Sequence, residues 1–383
     1  MKNILVVNSS SRPSEVIVNI FQKMEKRGVL FHLFSCNPDL LDRFPREKKG
    51  NRWVKRIRLG PGAARSKAGV MIFSLLLPFI CLKQFITLFY LKFRKKISTV
   101  ICFDWNDRLV FTPVAGFLGM KVVWLERPER RYKTQNKFLL ALLRSLFRSV
   151  DKVIVFTEDS KQRLQRSGVS ENKIKNVRLG VDPESRHQDD LFSNLARAGD
   201  SGASQTCFTV GVVADLDDMY QIENLFQSIK ICLDIFSDIR IIIIGGGKNK
   251  KRVIWLARQY NLEDLIYLVG EQNDLEKWWE SFDVYLSCVN SPCLRELQTV
   301  LEAMLAGLPV IAFHGQGLEE AVLDQEAGFI IPENSSEDLA QKIIYLQQHG
   351  DIRKRMGEQA HNRVKNNFTA DKQLKELENE FHL

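Results

Sequence analysis

The chain has 383 residues, of which 45% are hydrophobic and 26% are charged. This length accommodates two domains of ordinary size, and this composition excludes an intrinsically disordered chain, which would carry too few apolar residues to form a core. The seven cysteines are odd in number and contain no CxxC pair, so they indicate neither a disulfide framework nor a zinc site and favour a reducing compartment.

The net charge of +9 is unevenly distributed along the chain. Residues 1–180 contain 36 Lys and Arg against 13 Asp and Glu, a balance of +23, whereas the remainder holds 19 basic and 33 acidic residues, a balance of −14. This difference favours an anionic partner for the first half of the chain. Membrane phospholipid, a phosphorylated acceptor and nucleic acid are the candidates. A solvated charged face explains any single lysine, but it explains +23 poorly.

The first half alternates short β-branched runs with amphipathic segments, beginning with a buried strand whose apolar run is too short for a signal peptide. A helix is predicted near residues 15–27. Strands are predicted at residues 4–8, 30–35, 100–103, 121–125 and 152–156. This alternation is typical of βαβ units in a parallel sheet.

Two unusual segments lie between the second and third of these strands. Residues 43–67 contain ten Lys and Arg against Glu47 alone, and an apolar run at 69–96 follows directly. Because a membrane span needs about 20 consecutive apolar residues, Pro78 and Lys83 inside the run argue against a transmembrane helix. A core helix and an interfacial helix with basic flanks remain open. The residues predicted to contact a membrane are Lys48, Lys49, Arg52, Trp53, Lys55, Arg56, Arg58 and Lys83.

The pattern of strands restarts after a polar, Ser- and Gly-containing stretch at residues 183–205, which is interpreted as a linker. Strands are predicted at 208–213, 239–244, 266–269, 284–287, 309–313 and 329–331. The isoleucine run of the second of these indicates a strand that is covered on both faces. The sequence therefore predicts a second α/β domain.

The segment with the clearest chemical pattern is residues 291–313, SPCLRELQTVLEAMLAGLPVIAF. It reads as a loop, a helix from about Glu296, a Gly-Leu-Pro stop and a strand. A helix N-terminus presents main-chain N–H groups and partial positive charge, which suits a diphosphate. Glu302, two turns into the helix, is placed to accept hydrogen bonds from ribose hydroxyls, although an exposed helix residue would fit the same pattern.

Residues 301–313, with the following GQGLEEAVLDQEAGFIIPENSSEDLAQKI, resemble the donor-site half of retaining glycosyltransferase family 4. That family has a Glu-Ala-Met helix, a Gly-Gly-x-x-Glu turn and a strand ending in Pro. Residues 316–320 match the turn, with Glu320 on its acidic position. The resemblance implies a GT-B fold, which is two facing Rossmann-like doubly wound domains, and it assigns Gly211, Gly317 and Leu318 to the donor site with Glu302 and Glu320.

Other marks extend the resemblance over nearly the whole chain. KIKNVRLGVDP, ending at Asp182, matches the interdomain Asn-Gly-Val-Asp strand end, and SFDVYLSC matches a second-domain strand. The implied organisation is an N-terminal acceptor and membrane-side domain at 1–182, the linker at 183–205, a nucleotide-sugar domain at 206–365 and a C-terminal helix at 366–383 that packs back on the first domain.

Three departures from the family pattern concern the charged residues of the site. The position of the sugar-holding Glu is Leu294, and Glu296 is the nearest substitute. The diphosphate-binding Arg and Lys are replaced by Val212 and by Asp217 or Tyr220. The active-site His of the first domain is replaced by Glu126, so the predicted catalytic residues are Glu126 and Glu296.

Compensating residues are available near these positions. Arg295 lies in the loop that wraps the phosphates in the family, and one guanidinium can bind a diphosphate bidentately. Lys248 in GGGKNKKR is a second cation, although a solvated turn is the simpler interpretation of that segment. Ser9 and Ser10 follow the first strand at the switch point of the sheet, where such a loop lines a ligand crevice or forms an ordinary turn.

The sequence thus predicts a glycosyltransferase that moves a sugar from a nucleotide-sugar to a membrane-linked or cell-envelope saccharide, with retention. The resemblance implies no metal and no cofactor, and the charge pattern implies a cytoplasmic protein that is peripheral on the inner face of a membrane. The alternative is a catalytically silent GT-B homologue that binds a partner or lipid. A nucleic-acid-binding protein is not favoured, because neither an aromatic platform nor a reading-helix motif is present.

Overall fold

A computed structural model describes residues 2–9, 15–44, 52–57, 67–126, 145–183, 207–217, 222–272, 274–288, 293–315 and 317–381. The chain divides into two compact α/β units. The first comprises Met1–Val177 with Leu374–Leu383, and the second comprises Arg178–Gln373. Of the predicted linker at 183–205, all but Pro183 lies outside the described residues, so that boundary stays a prediction.

The first unit is built on a seven-stranded, wholly parallel sheet with the order β3–β2–β1–β4–β5–β6–β7. Its strands are β1 (Lys2–Asn8), β2 (Val29–Ser35), β3 (Val54–Arg56), β4 (Thr99–Cys102), β5 (Lys121–Leu125), β6 (Lys152–Val155) and β7 (Ile174–Asn176). The five predicted strands are confirmed. The sequence pattern missed β3 and β7, since three residues are too few to show a periodicity.

Helices cover the sheet of the first unit. They are α1 (Glu15–Lys26), α2 (Pro38–Arg43), α3 (Lys67–Lys95), α4 (Trp105–Phe117) and α5 (Glu158–Arg166). The last helix of the chain, α12 (Ala370–Phe381), belongs to this unit from Leu374 onward. Within the unit, its Glu378 pairs with Arg27 at 3.4 Å and its Glu380 main-chain oxygen accepts from Lys121 Nζ at 2.5 Å.

The apolar run at 69–96 forms most of α3, and the helix has two different sides. Leu88 and Leu91 are fully buried in the core of the first unit, which confirms a core role for one side. Large apolar side chains on the other side are exposed, including Phe79 at 72%. In the described part of the chain, Leu75–Lys95 is long and apolar enough to cross a membrane by length and composition, and little of this stretch is buried in the protein.

The second unit has a six-stranded, wholly parallel sheet with the order β10–β9–β8–β11–β12–β13. Its strands are β8 (Phe208–Val213), β9 (Ile239–Ile244), β10 (Ile266–Gly270), β11 (Val284–Leu286), β12 (Val310–Phe313) and β13 (Gly328–Ile331). Its helices are α6 (Ile222–Leu233), α7 (Lys250–Gln259), α8 (Glu276–Trp279), α9 (Leu294–Leu305), α10 (Ser336–Gln348) and α11 (Gly350–Asn367). All six predicted strands are confirmed.

Gly211, in the middle of β8, lies directly beneath an aromatic ring. A Cβ placed on Gly211 would approach the Phe282 ring to 2.1 Å, and Phe282 in turn packs edge-on against Trp279 with a centroid distance of 5.9 Å. The packing of the Phe282 ring therefore explains why residue 211 is a glycine. Its predicted contact with a nucleotide-sugar donor is not needed to explain it.

We expect Gly211→Ala to lower the free energy of unfolding by about 1–3 kcal/mol, because the added methyl group would displace Phe282 in a close-packed core. The matched control is Gly350→Ala, since a Cβ at the start of α11 has nothing within 4 Å. Urea denaturation of both variants and the wild type measures the effect. Equal losses in the two alanine variants would contradict the packing argument.

Candidate active site

The helix that the sequence pattern assigned to phosphate binding is α9, and it begins two residues earlier than predicted. Its N-cap is Cys293, which has extended backbone angles and whose Sγ accepts from Glu296 N at 3.3 Å. The sequence pattern missed this start because cysteine is not among the usual capping residues. Arg295 and Glu296 therefore both lie in the first turn, with Arg295 exposed and Glu296 buried.

Glu296 is 4% exposed and forms part of a polar cluster under the start of α9. Its Oε1 accepts from the Tyr285 hydroxyl at 3.2 Å, and the Tyr285 ring packs edge-on against Trp279. Burial, and then the nearby Glu296 carboxylate, raise the pKa of Tyr285 well above its ordinary value, so this hydroxyl stays protonated and donates. Glu296 thus anchors β11 to α9, and its predicted catalytic role stays a prediction.

Glu302 is half-buried in the third turn of α9. Its Oε1 accepts from Gln298 Nε2 at 2.7 Å, an i to i+4 contact on one side of the helix. Burial is the largest cause of the raised pKa of the Glu302 carboxyl, and the Glu276 carboxylate raises it further, whereas the Gln298 hydrogen bond lowers it. Gln298 therefore fixes the orientation of the Glu302 carboxyl group. A fixed carboxyl group is suited to accepting hydrogen bonds from hydroxyl groups.

The turn that matches the family's acidic motif has both of its glutamates engaged within the second unit. Gly317 has a φ of +73°, and Leu318 is 2% exposed, so the turn is held by its apolar residue. Glu319 Oε1 accepts from Gly315 N at 2.6 Å. Glu320 pairs with Arg178 at 2.8 Å. Gln316 lies outside the described residues.

The acidic loop after β8 binds the glycine-rich loop that precedes α7. Asp217 Oδ1 accepts from the main-chain N of Lys248 at 2.6 Å and of Asn249 at 3.2 Å. The loops approach so closely that a Cβ on Gly245 would lie 1.8 Å from Ala214 O. Val212 is fully buried in β8. The Gly-rich segment is therefore explained by the contact between the two loops. The side chain of Lys248, the second candidate cation, is exposed.

Ser9, Asp107 and Glu126 lie at the carboxyl edge of the first sheet, where the sequence predicted a site. Ser9 donates to Asp107 Oδ1 from its main-chain N at 3.1 Å and from its hydroxyl. Asp107 Oδ2 accepts from Asp104 N at 3.0 Å. Ser10 lies outside the described residues. The sequence analysis missed Asp107, whose position three residues after the N-cap Asp104 is that of a capping box.

Glu126 follows β5, as predicted, but it is 3% exposed and forms an ion pair with the fully buried Arg108 at 2.7 Å. Arg108 also donates to Leu125 O at 3.1 Å and lies 4.8 Å from the centroid of the Trp124 ring. Removing one partner of such a buried pair leaves an uncompensated charge in the core. The geometry is that of a structural ion pair, and a catalytic role for Glu126 stays a prediction.

The predicted membrane residues divide into three groups. Arg52 pairs with Glu25 at 2.6 Å, and the Trp53 ring packs against Phe34 with a centroid distance of 5.3 Å, so both also support the first unit. Lys55, Arg56 and Lys83 are exposed. Lys48, Lys49 and Arg58 lie outside the described residues.

Asp107 predicts a pH dependence of stability. Burial, and then the Asp104 carboxylate, raise the pKa of Asp107 from an ordinary 3.8 to about 7. Between these values the folded chain binds more protons than the unfolded chain, so the free energy of unfolding falls as pH rises from about 4 to 7. In Asp107→Asn we expect the free energy of unfolding to depend less on pH. Over this range the wild type should lose at most about 4 kcal/mol more than the variant.

Urea denaturation at a series of pH values checks this expectation. The quantity to compare is the slope of the free energy of unfolding against pH, because the substitution also removes hydrogen bonds and so changes the absolute stability. Asp42→Asn, on an exposed position of α2, is the matched control and should follow the wild-type profile. Parallel profiles for wild type and Asp107→Asn would show that Asp107 does not titrate in this range.

Known proteins match both the second half of the chain and its whole fold. Residues 199–363 match the family model described as glycosyl transferases group 1. An uncharacterized glycosyltransferase of Methanocaldococcus jannaschii is 26% identical over 248 residues, and the chain spans only 59% of that relative's length. The capsular polysaccharide biosynthesis glycosyltransferase CapM of Staphylococcus aureus is 23% identical over 293 residues, which cover 71% of this chain and 75% of CapM.

The whole chain also superposes on a solved structure. The crystal structure of Anabaena HepE in complex with UDP matches with a TM-score of 0.78 and 16% identity, and the match covers 100% of both chains. A likeness at this identity shows the fold, and the predicted α/β architecture of GT-B type is therefore confirmed. The second half of the chain therefore matches the group 1 glycosyl transferase family, and the chain as a whole has the GT-B fold.

Proposed function

We propose that the protein transfers a sugar from a nucleotide-sugar donor to a membrane-linked or cell-envelope saccharide, with retention of configuration and without a metal ion. The observation that carries the proposal is α9, which lies inside the matched family domain. Its first turn places the exposed Arg295 at the positive end of the helix dipole, and Glu302 lies seven residues further on, about 10 Å along the axis. That spacing suits a diphosphate at the helix start and a ribose beside Glu302.

The relatives support the substrate classes in this proposal. CapM is named for capsular polysaccharide biosynthesis, and the HepE structure contains UDP. A uridine nucleotide and a cell-surface saccharide are therefore the first substrates to test on this chain.

The chemistry proposed for α9 is electrostatic. Negative charge develops on the leaving diphosphate as its bond to the sugar breaks, and preorganised N–H donors and cations stabilise that charge without reorganisation. The position of Arg295 in the first turn brings a guanidinium with two parallel donors to the same end of the helix.

For the ribose contact, Glu302→Ala is expected to weaken UDP binding by roughly 1.5–3 kcal/mol, which is about ten- to a hundredfold in Kd. Isothermal titration calorimetry measures the Kd. Glu358→Ala, an exposed position in the middle of α11, is the matched control. If Glu302→Ala binds UDP with wild-type affinity, Glu302 does not hold the ribose.

For the diphosphate contact, Arg295→Ala should abolish sugar transfer while its thermal unfolding stays unchanged, because the side chain is exposed and outside the core. Arg295→Lys should recover only part of the activity, since lysine keeps the charge but loses the planar fork. Arg355→Ala, exposed on α11, is the control. Equal UDP affinity in wild type and Arg295→Ala would show that Arg295 does not bind the diphosphate. Lys248 would then be the next cation to test.

The second candidate function is a catalytically silent GT-B homologue. The observation that favours it is the acidic loop after β8, where Val212 is buried and Asp217 is engaged by two main-chain N–H groups at the positions where the family carries cations. The same calorimetry separates the two functions. Absence of binding of any nucleoside diphosphate to the wild type at millimolar concentration would favour the silent homologue.

A further inference from the structure

We propose that the exposed side of α3 lies in the headgroup region of an anionic lipid bilayer, with the helix in the plane of the membrane. This inference is independent of sugar transfer, because it rests on a surface of the first unit and holds equally for a silent homologue.

The exposed side of α3 forms one continuous apolar surface. Its residues recur three or four positions apart, so they share one side of the helix. Phe117, at the end of α4, is 82% exposed and extends this surface. The set, called here the apolar face, is Leu75, Leu76, Phe79, Leu82, Ile86, Phe89, Tyr90, Phe93 and Phe117.

Contacts between α3 and α4 hold the aromatic members of the apolar face together. The half-buried Phe85 has ring centroids 6.2 Å from Phe89 and 5.8 Å from Phe117, and Phe89 lies 4.6 Å from Phe93. Lys92 Nζ donates to the main-chain oxygen of Leu118, just beyond α4. The apolar face is therefore a preformed surface of two helices.

The buried side of α3 argues against a helix that spans the membrane. Gln84, Leu88 and Leu91 are at most 4% exposed. The strands on either side of α3 in the chain, β3 and β4, belong to one hydrogen-bonded sheet, so they lie on the same side of any membrane. One side of the helix is thus covered by protein, which leaves the apolar face for lipid.

An apolar surface of this extent is unusual on a soluble protein, and such surfaces are covered by a partner or a membrane. The charge of this segment favours lipid over a protein partner. In the sequence, residues 48–103 contain 13 Lys and Arg and no Asp or Glu. Two of these basic residues, Lys83 and Arg94, are exposed on α3 itself. A second copy would bring two such basic surfaces together, whereas anionic headgroups neutralise them. Apolar residues on one face with basic flanks are typical of interfacial helices.

The test is sedimentation of the full chain with vesicles of phosphatidylcholine, with and without about one third phosphatidylglycerol. Wild type should sediment with the anionic vesicles, and salt should weaken the initial attraction, since the screening length falls from about 30 Å at 0.01 M to about 10 Å at 0.1 M. Ile86→Glu should lower the partition coefficient about tenfold, because a carboxylate enters a surface that contacts acyl chains and anionic headgroups.

The matched control is Ile235→Glu, the same substitution at an isoleucine that is 55% exposed in the second unit, against 64% for Ile86. It should bind vesicles like the wild type. Phe117→Glu, on α4, is a second variant at a side chain that is 82% exposed, and it should also lose binding. Circular dichroism verifies that each variant is folded.

Three results would overturn the proposal. The first is equal vesicle binding by wild type, Ile86→Glu and Phe117→Glu. The second is a wild-type dimer in the absence of vesicles that Ile86→Glu converts to a monomer, which assigns the apolar face to a second copy. The third is retention of the chain in the membrane pellet after alkaline carbonate extraction, which assigns α3 to a transmembrane position.

Discussion

The parallel arrangement of the thirteen strands in the described part of the chain is the constraint on which the rest of the structure depends. Neighbouring parallel strands require a crossover, so each sheet must be covered by helices on both faces. The same arrangement places every carboxyl strand end at one edge, which is where binding residues collect in doubly wound sheets. Ser9 after β1 and Glu126 after β5 in the first unit, and Asp217 after β8 in the second, all follow from this rule.

In the first unit, this requirement accounts for the composition of α3. The helix must present an apolar side to the sheet, and Leu88 and Leu91 do so. An ordinary surface helix would be polar on its other side, but α3 is apolar there as well. A helix with two apolar sides faces two apolar environments. The fold supplies one of them, and the second must come from outside the described part of the chain.

Much of the fold was predictable because strands that are buried on both faces carry long β-branched runs, as in the IRIIII segment of β9. The site was less predictable, because its chemistry depends on pairs that are distant in sequence. The sequence predicts a catalytic role for Glu126, and only the fold brings Arg108 to its carboxylate. Arg52 read as a membrane cation, and its partner Glu25 lies 27 residues earlier. The start of α9 lies two residues before the predicted one, because a thiol caps the helix.

The hydrogen bonds of Asp217 have a consequence for how this site can evolve. One carboxylate oxygen holds the N–H groups of both Lys248 and Asn249, and glycine at position 245 makes the close approach of the two loops possible. Replacing Asp217 with lysine would remove the shared acceptor before any new phosphate contact could compensate. The acidic loop and the glycine-rich loop are therefore coupled, and a cation at position 217 requires accompanying changes in the glycine-rich loop rather than a single substitution.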